Sequence, residues 1–273
     1  MHDDSPLGKM TEYPDVYAPE VLFAIPREKD REKLNLGDEL PFSGVDLWTA
    51  YELSWLNERG KPVVATAELS FPATSPNIVE SKSLKLYFNS LTGMRYASSD
   101  ALQTLIARDL GEVAGANAEV RLTLSSEFRP ITIGLPDGAC IDDQEIEIES
   151  YDVNAELLTG STEDGVIVDE TLYSRLLKSN CPITNQPDWA TLSVRYQGAR
   201  ISRTSLLKYI VSFRNHDGFH EQCVEQIFMD LQRHCEPQAL SVYARYTRRG
   251  GLDINPFRSN FESPPDNRRL WRQ

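Results

Sequence analysis

Cys181 stands in a polar loop of this sequence, and a carboxylate, Asp188, follows it seven residues later. Buried cysteines usually behave as small hydrophobic residues, but the residues near this one are polar: Ser179, Asn180, Thr184, Asn185 and Gln186. A thiol with an ordinary pKa of about 8.5 becomes a nucleophile when an acid–base group within reach can take its proton. The pair could therefore perform covalent catalysis. The alternative is a structural cysteine beside a turn-forming Gln-Pro-Asp, and no nearby histidine supports a Cys-His protease.

A second polar pair, His220 and Glu221, opens a segment that is predicted to be a helix. A carboxylate at a helix start is stabilised by the helix dipole, and it can also accept hydrogen bonds from the paired N–H groups of a purine-like ring. His220 and Cys223, at positions i and i+3, could instead bind zinc with Cys181 as a third ligand. Because Cys223 shares the helix with an apolar stripe, we predict that it belongs to the core and that no metal is bound.

The segment "NIVESKSLKLYF" (77–88) combines acidic and basic residues where a loop enters a predicted strand. Its polar members are Glu80, Ser81, Lys82 and Lys85. The alternative to a binding site is an exposed strand edge that the lysines protect from pairing.

The segment "RYTRRGG" (245–251) is a basic, glycine-containing turn that includes Arg249 and Gly250. It could bind a phosphate, since arginine donates in a fork that fits phosphoryl oxygens. The alternative is a solvated hairpin end. No G-x-G-x-x-G opens a predicted helix and no Walker motif occurs in the sequence, so a Rossmann site or a P-loop is not indicated.

The composition of the 273 residues is that of a globular protein, with 40% hydrophobic and 25% charged residues. No apolar run approaches the roughly 20 residues of a membrane helix, and the acidic, polar start "MHDDSPLGKM" does not resemble a signal peptide. The four cysteines have no paired spacing, which favours a reducing cytoplasm. A net charge of -13 repels polyphosphate, so we expect a small-molecule ligand and no direct binding of nucleic acid.

The elements predicted from periodicity repeat once along the chain in the order strand, strand, helix, strand. In the first half we predict strands at 62–71 and 82–91, a helix at 98–115 capped by Ser98 or Ser99, and strands at 118–126 and 143–153. In the second half we predict a strand at 189–198, a match to 82–90 at 204–215, a helix at 218–235 and a strand at 239–251. Chance similarity between amphipathic segments is the alternative to duplication.

The acidic segment 158–165 is the expected linker between the two copies. The predicted organisation is an N-terminal extension over 1–40, a first module over 41–157 that carries "ESKSLKLY", and a second module over 166–273 that carries the two polar pairs.

Three motifs, in this order and in a duplicated chain, resemble one family. They are "ESKSLKLY" at 80–87, the pair Cys181 and Asp188, and the pair His220 and Glu221. From about Leu40 to Arg269 the sequence resembles the NADPH-dependent 7-cyano-7-deazaguanine reductases, the nitrile reductases of queuosine biosynthesis, in their long two-module form.

The resemblance implies an α+β fold of tandem tunnelling-fold (T-fold) modules, with antiparallel sheets and helices packed on one face. It also implies an active site assembled at a junction between modules, because "SRTSLLKY" (202–209) in the second half has lost the acid of the signature. Neither half should be competent alone. We expect a homo-oligomer, with a dimer favoured.

The resemblance further implies a role for each site residue. Cys181 would attack the nitrile to form a thioimide, and Asp188 would supply a proton to the nitrogen. The substrate-binding residues would be Val79, Glu80, Ser81, His220 and Glu221. The residues for NADPH, two of which are consumed per turnover, would be Ser81, Lys82, Arg249 and Gly250. Lys82 and Arg249 would reach the 2′-phosphate from two different modules.

Three other functions compete with this one. A thiol hydrolase of nitriles or amides would need no reductant. A zinc-dependent, cyclohydrolase-like enzyme of the same fold would use His220 and Cys223, and a purine- or pterin-binding module would not be a catalyst.

Overall fold

The structure, a computed structural model, describes residues 13–37 and 39–273. Its first part begins with the short elements β1 (Ala24–Pro26) and α1 (Glu28–Lys33). The larger elements that follow are β2 (Ser43–Leu56), β3 (Pro62–Pro72), β4 (Asn77–Val79), α2 (Ser81–Ser90), α3 (Ser99–Ala114) and β5 (Glu119–Leu124).

The second part of the chain contains the longest strands of the molecule. Its elements are β6 (Ala139–Cys140), β7 (Thr162–Asn180), β8 (Pro187–Ile201), α4 (Arg203–Ser212), α5 (His220–Cys235), β9 (Ala239–Tyr246) and β10 (Leu252–Ser259). Across the described residues, each helix is too short or too polar to pass through a lipid bilayer.

The chain forms two compact units. Of the described residues, the first contains those from Tyr13 to Lys33, Asp46–Ile131 and Arg248–Asp253. The second contains Leu34–Val45, Thr132–Thr247 and Ile254–Gln273. The module boundaries 1–40, 41–157 and 166–273 stay a prediction about the repeat, although β7 already begins inside the segment that we predicted as a linker.

In the first unit the strand order is β5, β3 and β2, and β1 pairs with β4 in a separate two-stranded sheet. β3 and β5 are antiparallel, and α3 packs against β5. Ile25 of β1 is fully buried. Arg27, which follows β1, forms a buried ion pair with Asp46, with its Nη2 2.5 Å from Oδ2. The core of this unit thereby holds β2 through Asp46, and it holds β4, the strand that precedes α2, through its pairing with β1.

In the second unit the strand order is β10, β9, β8, β7 and β6. The first three pairings are antiparallel, and the short β6 pairs with β7 in parallel. α5 packs against β9 through an apolar face whose members are all fully buried: Val224, Ile227, Phe228 and Leu231. The predicted α+β class, with antiparallel sheets and helices packed on one face, is confirmed.

The two halves share the order strand, strand, helix, helix, strand, with the short β4 added before the helices in the first half. α2 and α4 have ten residues each, and α3 and α5 have sixteen each. In the first copy the Tyr87 hydroxyl donates to Asp109 over 2.7 Å, and in the second Tyr209 donates to Asp230 over 2.7 Å. Two buried hydrogen bonds at matching positions favour duplication over chance similarity.

The strand predicted at 82–91 is wrong, because this segment forms α2. Its apolar residues Leu84, Tyr87, Phe88 and Leu91 are spaced as on one face of a helix, and all four are buried. The matching segment 204–215 is likewise helical, as α4 followed by a short 3-10 helix. The two segments are similar in structure, as predicted. The error was to interpret their helical spacing of apolar residues as the alternation of a strand.

The strand predicted at 143–153 is also wrong, because the described structure has none between Cys140 and Thr162. Side-chain exposure does follow the alternation of apolar and acidic residues, since Ile146 and Ile148 are half-buried while Glu145 and Glu147 are exposed. A strand additionally requires a neighbour for its backbone hydrogen bonds, and alternation alone does not supply one.

Candidate active site

The loop that carries Cys181 is the tip of the hairpin formed by β7 and β8. The Cys181 N–H donates to the carbonyl of Gln186, and the Asn185 N–H donates to the carbonyl of Cys181, both over 2.9 Å. Asn185 takes the left-handed conformation, with φ of 54°, which asparagine tolerates better than most residues. The sequence thus closes a tight polar turn, in which the Cys181 side chain is only 6% exposed.

Asp188 lies on the returning strand, where it pairs with Ser179. Paired residues of antiparallel strands share a face of the sheet, and so do residues two apart on one strand. The backbone bond of Cys181 to Gln186 extends the strand register by one pair beyond Asn180 and Pro187. Cys181 and Asp188 therefore both lie at the end of the hairpin, and the Asp188 side chain is buried there.

The start of α5 is fastened to this hairpin by backbone hydrogen bonds. The Asn180 N–H donates to the carbonyl of His216 over 2.8 Å, and the Gly218 N–H donates to the carbonyl of Asn180 over 3.1 Å. His220 begins α5, and its Nε2 lies 3.3 Å from Oδ2 of Asp188.

Glu221, the next residue of α5, is 2% exposed, and it lies in the first turn of the helix as predicted. The second unit thus brings together all four residues of the two predicted polar pairs: Cys181, Asp188, His220 and Glu221.

The imidazole of His220 is stacked on the ring of Tyr246. The ring centroids are 3.7 Å apart and the planes differ by 11°. Tyr246 is fully buried, and this burial raises its pKa well above the usual value for a phenol. Nδ1 of His220 is buried and finds no hydrogen-bond partner within residues 13–37 and 39–273. Sequence reasoning missed Tyr246, which looks like an ordinary β9 residue until the packing is known.

Cys223 is fully buried beneath this cluster, as its place on the apolar stripe predicted. Burial raises the pKa of its thiol to about 12, while the neighbouring hydroxyls of Ser179 and Tyr246 lower it in part. The thiol is therefore neutral near pH 7. Among the described residues there is no group of three or more His, Cys, Asp or Glu side chains that could hold a metal ion.

Glu80 is the N-cap of α2, directly after Val79 of β4. Its Oε1 accepts from the Lys82 N–H and its Oε2 from the Ser83 N–H, both over 2.7 Å. The side chain is 1% exposed, so burial raises its pKa while the two amides lower it. Each carboxylate oxygen has a second lone pair, which leaves capacity for a ligand donor.

The repeat gives Glu80 a counterpart, Ser202, the N-cap of α4. Ser202 Oγ accepts from the Ser205 N–H over 3.3 Å. Serine is among the preferred N-cap residues and glutamate is not. A serine therefore suffices for capping in the second copy, and the acid in the first copy is available for a further task.

A group of cations lies around α2. Ser81 and Lys82 form its half-exposed first turn, where Lys82 Nζ is 2.8 Å from the hydroxyl of Tyr13. Lys85 lies one turn further along. Burial lowers the pKa of Lys85, and the positive charge of Arg249 lowers it further. We refer to Lys82, Lys85 and Arg249 as the basic cluster.

The turn between β9 and β10 completes this cluster. Gly250 has φ of 58°, and a Cβ there would lie 2.6 Å from Nζ of Lys85. Glycine thus allows the lysine to approach the turn closely. The contacts of Arg248–Asp253 place them in the first unit, although they belong to the second predicted module, so the origin of Arg249 and Lys82 in different modules stays a prediction. Two glycines (Gly250 and Gly251) amid three cations fit a phosphorylated ligand such as NADPH.

The sequence was compared with known families and proteins. A family model described as "Nitrile reductase, 7-cyano-7-deazaguanine-reductase N-term" matches residues 13–122, and one described as "QueF-like protein" matches residues 187–265. The chain aligns at a TM-score of 0.32 and 18% identity with a solved archaeosine synthase QueF-Like in the apo form, covering 37% of this chain and 100% of that one.

Two curated relatives carry the name NADPH-dependent 7-cyano-7-deazaguanine reductase. The one from Bordetella parapertussis is 55% identical over 271 residues, which cover 99% of this chain and 98% of that protein. The one from Burkholderia mallei is 52% identical over 272 residues, which cover 99% of each. Such identity over the whole length shows that the chain belongs to the family of NADPH-dependent 7-cyano-7-deazaguanine reductases.

Proposed function

We propose that Cys181 is the nucleophile with which this chain performs the reaction of its family. That reaction is the NADPH-dependent reduction of the nitrile of 7-cyano-7-deazaguanine (preQ0) to 7-aminomethyl-7-deazaguanine (preQ1), in queuosine biosynthesis. The observation that supports the assignment is the hairpin end, where Cys181 and Asp188 lie close together in the extended strand register and Asp188 contacts His220.

The first step is addition of the thiol to the nitrile carbon. The S–H bond of Cys181 breaks and a C–S bond forms, while the proton passes through Asp188 to the nitrile nitrogen and a thioimide results. Nε2 of His220 is in contact with Oδ2 of Asp188. It can donate a hydrogen bond to the carboxylate, and it can accept one when the carboxyl carries the proton. His220 therefore helps to hold the proton until the nitrogen takes it.

Counted from the nitrile, the carbon gains two hydrides and the nitrogen gains two protons. The first proton arrives when the thioimide forms, and the second is taken up from solvent with the second hydride. When bound, NADPH supplies the hydrides. Between the two reductions Cys181 leaves as a thiolate and an imine remains. The near-complete burial of Cys181 and Asp188 supports protection of that imine, because water reaching the site would hydrolyse it.

Recognition of the deazaguanine is assigned to two buried carboxylates, Glu221 and Glu80. Glu221 accepts from the N–H edge of the ring, as a buried carboxylate can. Glu80 accepts further hydrogen bonds from the substrate through the second lone pairs of its carboxylate oxygens. Its neighbours Val79 and Ser81 are assigned to the same binding site. His220 positions the substrate and the intermediate.

NADPH is assigned to Ser81, Lys82, Arg249 and Gly250, and the structure adds Lys85 as a further candidate. The basic cluster supports this assignment, because three cations and an exposed glycine backbone suit the 2′-phosphate.

The activity is tested by mixing the protein with the nitrile and NADPH in the presence of a chelator. We expect NADPH absorbance to fall as the amine, measured by mass spectrometry, accumulates. Two NADPH should be consumed for each amine formed. Loss of nitrile with release of ammonia and constant NADPH would identify a thiol hydrolase instead.

Arg249→Ala is expected to raise the Michaelis constant for NADPH far more than that for NADH. A charge-assisted contact contributes about 1.5–3 kcal/mol, and partial exposure of this site reduces the effect to about tenfold. Initial rates with each cofactor measure both constants. Rising salt should weaken NADPH binding more steeply in the wild type than in the variant, since salt screens the charge that the variant lacks.

Arg248→Ala is the matched control, because Arg248 carries the same charge but lies over the ring of Tyr51, 4.7 Å from its centroid. It should leave the preference between cofactors unchanged. Equal effects of Arg249→Ala on NADPH and NADH would mean that Arg249 shapes the turn without reading the phosphate.

We also propose that the enzyme acts in the cytoplasm as a homo-oligomer, with a dimer favoured. The four cysteines are free thiols, which suits a reducing compartment. Sedimentation of the purified protein would test the oligomeric state.

A further inference from the structure

Gln273 has a side-chain amide whose hydrogen-bonding capacity is fully used. Its Oε1 accepts from Arg245 Nε over 2.9 Å and from the Leu270 N–H over 3.1 Å. Its Nε2 donates to the carbonyl of Tyr246 over 3.1 Å and to Oδ1 of Asn255 over 2.8 Å. An amide has two donors and two acceptor lone pairs, so each of them is satisfied by a protein group.

These bonds converge on the backbone of Tyr246. Asn255 Oδ1 also accepts from the Tyr246 N–H over 3.2 Å, and Asn255 is fully buried. Both backbone polar groups of Tyr246 are therefore held by amide side chains from other parts of the second unit. These bonds fix the backbone from which the ring projects, and the complete burial of Tyr246 restricts rotation of the ring itself.

The fixed ring is the one on which His220 stacks. An imidazole has two side-chain torsions, and the contact of Nε2 with Asp188 determines only where that atom points. The parallel face of Tyr246 limits the remaining rotation, because tilting the imidazole would break the stacking. The plane of His220 is therefore set by Tyr246 and its direction by Asp188.

We propose that Tyr246, held by Gln273 and Asn255, is a positioning residue that sets the plane of the His220 imidazole for proton transfer at Asp188. The inference rests on the proposed function, since it assigns a role within that same site. Tyr246 touches neither the nitrile nor the hydride donor in this scheme. It acts by keeping Nε2 of His220 within reach of the carboxyl.

The test uses two variants of the full-length enzyme. Tyr246→Leu removes the ring, and we expect kcat to fall by about ten- to a hundredfold, the scale of a misplaced catalytic group. The Michaelis constant for the nitrile should change by less than kcat does, since the proposed ring contacts of Glu80 and Glu221 are unaltered. Tyr246→Phe keeps the stacking ring and should stay within about threefold of the wild-type kcat.

The second readout is the ¹⁵N spectrum of histidine-labelled protein without substrate, with the His220 signal assigned from His220→Asn. In the wild type the proton should reside on Nε2, which faces Asp188. Tyr246→Leu should mix the two tautomers and Tyr246→Phe should not. Failure of the wild type to reduce the nitrile would overturn the proposed function, while this spectrum would still decide the role of Tyr246.

Gln273→Ala serves if Tyr246→Leu does not fold, because the Gln273 side chain is only half-buried. It should lower kcat by about three- to tenfold and mix the tautomers in the same way. Tyr209→Phe is the control for the loss of a buried hydroxyl on another helix, α4, where it donates to Asp230, and it should affect only stability.

Two results would overturn the proposal. One is a wild-type tautomer signal in a folded Tyr246→Leu or Gln273→Ala enzyme. The other is a loss of kcat that merely follows the loss of folded protein, as in Tyr209→Phe. Either would leave Tyr246 as a core residue without a positioning role.

Discussion

Cys181→Ala is expected to abolish turnover, with kcat lower by at least about a thousandfold, the scale on which removal of a catalytic nucleophile acts. The fold should be retained, because alanine replaces a small side chain and the hairpin turn is closed by backbone bonds between Cys181, Asn185 and Gln186. Substrate affinity should also be largely retained, since the proposed ring contacts come from other residues. Steady-state rates and calorimetric binding of the nitrile measure the two quantities separately.

The covalent step can be observed directly. Wild-type protein mixed with the nitrile and no NADPH should gain the mass of one substrate, and Cys181→Ala should gain none. Cys140→Ser is the matched control, because Cys140 is a half-exposed thiol elsewhere in the second unit. It should form the adduct as the wild type does. An adduct on the Ala variant, or retained activity, would show that another group is the nucleophile.

Glu221→Ala is expected to raise the dissociation constant for the deazaguanine by about ten- to a hundredfold. The reason is the loss of charge-assisted hydrogen bonds to the ring, which contribute about 1.5–3 kcal/mol. Glu221 is 2% exposed, so water does not screen these bonds. Calorimetry without NADPH isolates binding from the chemical steps.

The duplication supplies a control for the competing explanation, that Glu221 only stabilises a helix start. Asp100 is the acid in the first turn of α3, the helix that matches α5. Asp100→Ala should lower helix stability by about 0.3–1 kcal/mol without changing affinity. An unchanged dissociation constant in Glu221→Ala would assign Glu221 the same role as Asp100.

The elements with a single clear period were predictable from the sequence. α3 and α5 have apolar residues at helical spacing, and Ser98 caps α3 as expected. α2 was not predictable in this way, because Leu84, Leu86 and Phe88 are all buried and satisfy an alternating pattern as well as a helical one. The Glu80 carboxylate caps the first turn and so favours the helix over the strand. Its hydrogen bonds to the Lys82 and Ser83 N–H groups could not be inferred from the sequence.

The candidate active-site residues were predictable as pairs, but the residues that support them were not. Cys181 and Asp188 are joined by a short turn, whose Asn and Pro residues signal it in the sequence. The stacking of Tyr246 on His220 and the bonds of Gln273 join residues far apart in sequence. Local patterns carry no information on such contacts. The packing of Arg248–Asp253 with the first unit was hidden for the same reason.

The matched helix starts at Glu80 and Ser202 have a consequence for how such a chain evolves. Two copies of a module in one gene can mutate independently, whereas identical subunits from a single-copy gene must each keep every function. Once the first copy retains the acid, selection on the second requires only that its helix begin properly, and a serine meets that requirement. Gene duplication thus allows one copy to specialise while its sister drifts towards a purely architectural role.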